Sequence, residues 1–290
     1  MFYGGTAPIA RRLSVRVVVD STTMAGKDHY YNKAKQEGYR ARSAYKLKQL
    51  DETTGLLGEG RTVVDLGAAP GGWLQVAAER VGERGTVVGV DGQRIKELDD
   101  PEATVAFVRG DITEDSTKDD IRETVAETTG EAVEDRPVDA VVSDMAPNMS
   151  GDYDLDHARS VHLARQAFEM ATELLDSGGD LAVKVFDGRD LDDLQSDIEE
   201  EFEYVRQVRP DASRDSSSEL YLVAKNFLTA PVRVGDTVDV AIEDVGSEGD
   251  GIAKVEGFTL FVDGGETGDE LTVEVTDVKP RYGFAEPLDG

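Results

Sequence analysis

Apolar positions along this chain follow two periods that hand over to each other repeatedly. Short apolar runs of strand length at 62–66, 86–91, 104–108, 138–143, 180–186, 203–208 and 219–225 predict seven strands. Segments near 40–53, 72–81, 117–128, 157–176 and 190–201 carry helical spacing instead. Strand and helix in alternation predict an α/β fold: a doubly wound, mostly parallel sheet with helices on both faces. Ligands of such sheets bind beyond the carboxyl ends of the strands. Asp65, Asp91, Asp111, Asp144 and Lys184 all fall at or near those ends.

The pattern changes after Lys225. Pro231 is followed by Val232-Arg233-Val234-Gly235-Asp236 and then by short alternating runs at 237–242, 251–255, 258–262 and 270–275, separated by glycine-rich turns. They predict a small all-β barrel of the oligonucleotide-binding kind. At the other end, residues 1–23 show no sustained periodicity, and a basic stretch begins at Met24. Met24 reads as a natural start, with the preceding residues an upstream extension or a disordered arm. The expected organisation is a basic, disordered leader over 1–29, a large α/β domain over 30–226 and the barrel over 227–290.

The densest chemical signal is Val63-Val64-Asp65-Leu66-Gly67-Ala68-Ala69-Pro70-Gly71-Gly72-Trp73. A buried strand runs into a glycine turn and then a helix start, where backbone can approach a ligand closely. The spacing departs from G-x-G-x-x-G, so a nicotinamide dinucleotide fits poorly. A second strand ends in Asp91, 20 residues after Gly71, where doubly wound folds place the acid that takes ribose hydroxyls.

The stretch Asp65 to Trp73 resembles the S-adenosylmethionine loop of the FtsJ-type ribosomal RNA 2′-O-methyltransferases. The likeness extends to Gly38-Tyr39-Arg40-Ala41-Arg42-Ser43-Ala44-Tyr45-Lys46-Leu47, to Ser143-Asp144-Met145-Ala146-Pro147-Asn148-Met149-Ser150-Gly151, to Val183-Lys184-Val185-Phe186 and to Ser217-Ser218-Glu219-Leu220-Tyr221. In addition, Gly249-Asp250-Gly251-Ile252-Ala253 and Arg281-Tyr282-Gly283-Phe284-Ala285 resemble the TRAM domain, an RNA-binding appendage.

The resemblance implies S-adenosylmethionine as cofactor, with Gly71 and Trp73 at its methionine end and Asp91 on the ribose. Asp111 would accept from the adenine amino group or cap the next helix, and Asp144 would lie beneath the transferred methyl. It also implies a catalytic tetrad of Lys46, Asp144, Lys184 and Glu219. A lysine inside a buried strand is costly unless paired or neutralised. Lys184 would remove the 2′-hydroxyl proton or steer its lone pair toward the methyl; the sequence does not separate the two. Arg40 and Arg42 would contact phosphates. The implied substrate is a uridine of large-subunit (23S) ribosomal RNA within the large ribosomal subunit. Transfer-RNA ribose methylation is the alternative, and a non-catalytic RNA-binding assembly factor is a second.

Composition narrows the setting. With no cysteine there is no disulfide framework, thiolate metal site or cysteine adduct chemistry, and with three histidines a zinc site is not expected. No apolar run reaches membrane-span length, so a cytoplasmic monomer without membrane contact is expected.

The net charge of −29 conflicts at first sight with an RNA substrate. Residues 1–50 hold ten Lys/Arg against three Asp/Glu, a net +7, so the remaining 240 residues carry −36. Acids spread over the whole surface predict a halophile with a salt-saturated, haloarchaeal cytoplasm, where the Debye length falls to about 3 Å and distant carboxylates hardly repel RNA. From 228 onward 15 acidic residues face 4 basic ones, which weakens RNA contact by the barrel. If the barrel does make that contact, Phe258, Phe261, Arg281, Tyr282 and Phe284 are the candidate stacking or backbone groups.

Overall fold

A computed structural model describes residues 22–132, 136–214, 217–247 and 249–288. The strands β1 (Thr62–Leu66), β2 (Thr86–Val90), β3 (Thr104–Val108), β4 (Val138–Ser143), β5 (Leu175–Phe186), β6 (Phe202–Val208) and β7 (Glu219–Phe227) form one sheet. Its order is β3-β2-β1-β4-β5-β7-β6. All pairings are parallel except those of β7, which runs antiparallel between β5 and β6. The chain winds outward from β1 through β2 to β3, then returns to β4 on the other side of β1. That reversal opens a crevice at the carboxyl ends of β1 and β4.

Residues of opposite parity on each strand point to opposite faces. Val64, Leu66, Val88, Val141, Val183 and Leu222 pack under α4 (Asp115–Thr129), α5 (Tyr153–Leu174) and α6 (Leu191–Glu199). Val63, Val87, Ala140, Val142, Ala182 and Val223 pack under α2 (Ala44–Thr54) and α3 (Gly72–Val81). On that second face the apolar series continues toward the strand ends as Asp65, Asp144, Lys184, Tyr221 and Glu219. The polar groups of the site are therefore the terminal members of core-facing rows.

Several boundaries differ from expectation. The disordered leader expected over 1–29 lies outside the described residues as far as position 21. From there the chain is helical: α1 spans Thr22–Glu37. Its anchor is a small cluster in which Ala34 and Tyr30 pack on Tyr45 and Ala212. The helix expected from 40 begins at Ala44, because residues 40–43 serve α3 instead. Arg40 N donates to Gln75 Oε1 at 2.8 Å, and Ser43 O accepts from Trp73 Nε1 at 2.8 Å. Strand β5 starts at Leu175, earlier than 180, through an irregularity in its pairing with β4.

The second sheet contains β8 (Thr237–Ala241), β9 (Asp244–Val245), β10 (Gly251–Val255), β11 (Phe258–Val262), β12 (Glu270–Val278) and β13 (Tyr282–Pro287). Its order, β8-β12-β13-β11-β10-β9, leaves β8 and β9 as edges, so it is a curled half-barrel around Val240, Leu260, Val273 and Val275. It adjoins the first sheet where β5 and β6 begin. Lys279 bridges Glu203 at 2.9 Å, Arg233 forks onto Glu201 at 3.0 Å, and Ser177 Oγ donates to Pro280 O. These contacts lie at the end of the sheet opposite Lys184. Ser177 and Lys184 are seven residues apart on one strand, about 23 Å.

Candidate active site

Strand β1 ends in a turn that only glycine fits. Gly67 has φ +82°, and a Cβ there would lie 2.5 Å from Met145 Cγ. Gly71, at φ +107°, is pressed by the Arg40 guanidinium, 2.7 Å from where its Cβ would be. The turn is tied to β2 by Asp91, whose Oδ2 accepts from Ala69 N at 3.0 Å and Oδ1 from Gln93 N at 2.7 Å. Beyond it lies a cleft of about 430 Å³ lined by Gly67, Asp91, Asp111, Asp144, Met145 and Asn148, among others. Asp111 accepts from Thr113 N at 3.0 Å and Thr113 Oγ1 at 2.8 Å through Oδ1, and these bonds hold its carboxyl below the usual range. It does not cap α4, whose N-cap is Glu114.

Asp144, which lines the cleft, joins three further residues: Lys184, Lys46 and, through Lys46, Glu219. Lys184 Nζ donates to Asp144 Oδ1 at 2.9 Å and to Asp144 O at 2.5 Å. Lys46, brought by α2, sits 2.7 Å from Glu219 and 3.7 Å from Asp144 Oδ1. A fifth member was missed in the sequence. Tyr221, directly opposite Lys184 across the β5–β7 ladder, donates its hydroxyl to Asp144 Oδ1 at 2.6 Å. The signal was available: Tyr221 follows Glu219 by two residues and so shares its face. Burial alone would push Asp144 up, but Lys184, Lys46 and the Tyr221 hydroxyl outweigh it and hold the carboxyl below its ordinary range. Burial, then Asp144 and Glu219, push the Tyr221 phenol well up, so it remains a donor.

Trp73 and Gly71 do not line the cleft. The Trp73 ring is buried against Tyr221, with centroids 5.7 Å apart. What this segment offers is backbone: Gln75 N is satisfied by Gly71 O, while the N–H groups of Gly72, Trp73 and Leu74 belong to the free first turn of α3. The two arginines expected on phosphate serve carbonyls. Arg40 reaches Pro70 O, Lys96 O and Glu97 O, and Arg42 donates to Ala212 O at 2.6 Å. Both tie loops around the site in place.

Helix α5 fixes the loops that follow Asp144 and Lys184. Asp156 accepts from Ser150 N at 2.8 Å and Gly151 N at 3.1 Å. His157 Nδ1 donates to Phe186 O at 3.0 Å and its Nε2 accepts from Asp190 N at 3.2 Å, which requires the neutral ring.

Residues 39–227 match the model of the FtsJ-like methyltransferases, and residues 231–288 that of the TRAM domain. The chain belongs to the FtsJ-like methyltransferase family. Curated relatives extend this FtsJ-like match along nearly the whole chain. "Ribosomal RNA large subunit methyltransferase E" of Haloarcula marismortui is 74% identical over 92% of this chain and 100% of its own length. That of Natronomonas pharaonis is 64% identical over the same shares, and that of Methanocella arvoryzae 46% identical over 90% and 96%. A solved Plasmodium falciparum chain, provisionally assigned as a ribosomal RNA methyltransferase, superposes with a TM-score of 0.56 at 28% identity, covering 65% of this chain and 98% of its own. No helix among the described residues is long and apolar enough to cross a membrane, and none of their His, Asp and Glu groups cluster as a metal site.

Proposed function

We propose that this methyltransferase moves a methyl group from S-adenosylmethionine to the ribose 2′-oxygen of a uridine in 23S ribosomal RNA. The observation that carries the reading is the Lys184–Asp144–Lys46–Glu219 cluster, joined through Asp144 to a cleft that Asp91 and Asp111 also line. A ribose hydroxyl is a very weak acid, so its attack needs a placed proton acceptor.

The residues present fit the cofactor. Asp65 is fully buried beneath the Gly67 turn, and neither of its oxygens has a hydrogen-bond partner. A buried polar group without a partner among the described residues calls for one, and the next two residues, Leu66 and Gly67, line the cleft. Asp91 retains lone pairs for ribose hydroxyls, Asp111 Oδ2 is free among the described residues for an amino group, and the first turn of α3 offers N–H groups, including that of Trp73, to a carboxylate. When bound, S-adenosylmethionine supplies an electrophilic methyl on a sulfonium.

Lys184 would take the 2′-hydroxyl proton or steer the oxygen's lone pair toward the methyl. The Asp144 carboxylate, 2.9 Å from Lys184 Nζ, would balance positive charge on that lysine. Lys46, clamped by Glu219 at 2.7 Å and 3.7 Å from Asp144 Oδ1, would position the ribose and help hold Asp144 ionised. Five tied polar groups keep this geometry before substrate arrives, which is where the catalytic gain of such sites comes from.

The substrate is supported by the names of relatives that this chain covers end to end. The TRAM half-barrel would hold RNA remote from the reacting ribose through the cluster of Phe261, Tyr282 and Phe284, whose rings meet at centroid distances of 5.7–5.8 Å, Tyr282 edge-on to the other two. Mapping ribose methylation on total RNA from a deletion strain tests the reading. The expected result is loss of one 2′-O-methyluridine in 23S ribosomal RNA, restored by the wild-type gene and not by Lys184→Ala. Loss from transfer RNA, or no loss, overturns it.

A further inference from the structure

Three of the exposed large apolar side chains among the described residues fall within seven positions of one another: Met149 at 65% exposure, Tyr153 at 58% and Leu155 at 43%. They sit on the loop that leaves Asp144 and on the first turn of α5. The Tyr153 hydroxyl donates to Asp187 O at 2.5 Å, and Asp187 follows Lys184 by three residues, about 10 Å along the strand. An exposed ring is thus held in one place beside the reacting group. The loop beneath Met149 is equally fixed, by Asp156 on Ser150 and Gly151 and by Arg159 Nη1 on Asn148 O at 3.4 Å.

Arginines ring this patch on a chain of net charge −29. Arg209 donates to Asp187 Oδ2 at 2.7 Å, Arg189 stands 3.2 Å from Asp190, and Arg159 is on the next turn of α5. Asp187 and Asp190, with the exposed Asp152 and Asp154 that flank Tyr153, balance part of that charge. Each guanidinium has five N–H donors, however, and one or two contacts leave several free. Apolar faces for bases beside guanidinium groups for phosphates are the chemistry of single-stranded RNA binding.

Resting on the proposed function, we propose that Met149 and Tyr153 form a stacking platform for an unpaired RNA base adjoining the methylated nucleotide, with Arg159, Arg189 and Arg209 receiving its phosphates. Because the ring and the loop are already immobilised, little ordering entropy opposes the stack. The platform demands that the target lie in a loop or an opened helix, since a paired base cannot reach it.

The test is fluorescence titration of labelled single-stranded oligouridylate in molar KCl, on the full chain with S-adenosylhomocysteine bound. Tyr153→Ala should weaken binding at least about fivefold. Tyr153→Phe, which keeps the ring and loses the tie to Asp187, should restore most of that loss. Cofactor affinity should be the same in both variants, which shows that the fold is intact. A smaller loss in Tyr153→Ala, no rescue by Tyr153→Phe, or no binding of oligouridylate by the wild type overturns the platform and gives the patch to a protein partner. Wild-type methylation of 23S ribosomal RNA, measured in parallel, separates the two readings. Its absence with the platform effect intact sinks the proposed function alone.

Discussion

Tyr221 and Lys184 face each other across the β5–β7 ladder and both donate to the same oxygen, Asp144 Oδ1, at 2.6 and 2.9 Å. The carboxylate is thus oriented from two strands at once, and its Oδ1 is saturated. Tyr221 belongs to the core by its ring and to the site by its hydroxyl.

Tyr221→Phe separates those roles. The ring stays against Trp73, so the melting temperature should change little. The lost hydrogen bond to a charged acceptor is worth roughly 1.5–3 kcal/mol, part of which Lys184 recovers. Turnover should fall about tenfold, with the dissociation constant for S-adenosylmethionine unchanged. Turnover equal to wild type in single-turnover assays would remove Tyr221 from the site.

Asp65 makes stability depend on pH. Burial first, then the charges of Asp144 and Asp91, raise its carboxyl well above the ordinary value. Below the unfolded pKa the group is protonated in both states and costs nothing. As pH rises, the unfolded chain ionises first while the folded chain keeps its proton, so stability falls until the folded pKa is passed. Asp65→Asn cannot ionise and should abolish this fall. Melts of the cofactor-free protein between pH 4 and 8 check it: the wild type should lose several degrees relative to the variant toward the alkaline end. Parallel curves would show that Asp65 is ionised in the fold.

Asp91→Ala removes the ties to Ala69 N and Gln93 N together with the expected ribose contact. S-adenosylmethionine should bind about 1.5–3 kcal/mol more weakly. Asp91→Asn, which keeps an acceptor for Ala69, should lie in between. Calorimetry on the three proteins decides; equal affinities would make Asp91 a purely structural residue.

Salt should stabilise this protein. Acids crowd the surface, including the first turns of α5 and α6, where Asp154, Asp192 and Asp193 favour the helix dipole but repel their neighbours. Raising KCl from 0.1 M to about 1 M shortens the Debye length from about 10 Å to about 3 Å. The melting temperature should climb throughout that range and methylation with it. A melting temperature independent of salt, with most activity in dilute buffer, would contradict the halophile reading.

The sequence by itself determined the seven-stranded layout, because strand and helix periods are local and each run is long enough to be counted. It also named four side chains that the fold brings together, since Lys46, Asp144, Lys184 and Glu219 lie in motifs whose resemblance can be quoted residue by residue. The terminal β region was legible as strands, but not as an open half-barrel, since closure depends on which edges pair. Only the tertiary structure decided what those residues touch. Arg40 and Arg42 look like phosphate ligands in the chain, and only the fold shows that they also hold carbonyls of loops 30 to 170 residues away. Trp73 gives its ring to the core, against Tyr221. Asp65 reads as one more strand-end acid, yet it is the one sealed from solvent without a partner. The placement of the TRAM half-barrel at the end of the sheet opposite Lys184 was equally unreadable, because it is fixed by cross-domain pairs such as Lys279 with Glu203, 76 residues apart in the chain. Periodicity reports which face a side chain takes; only the packed fold reports which partner meets it there.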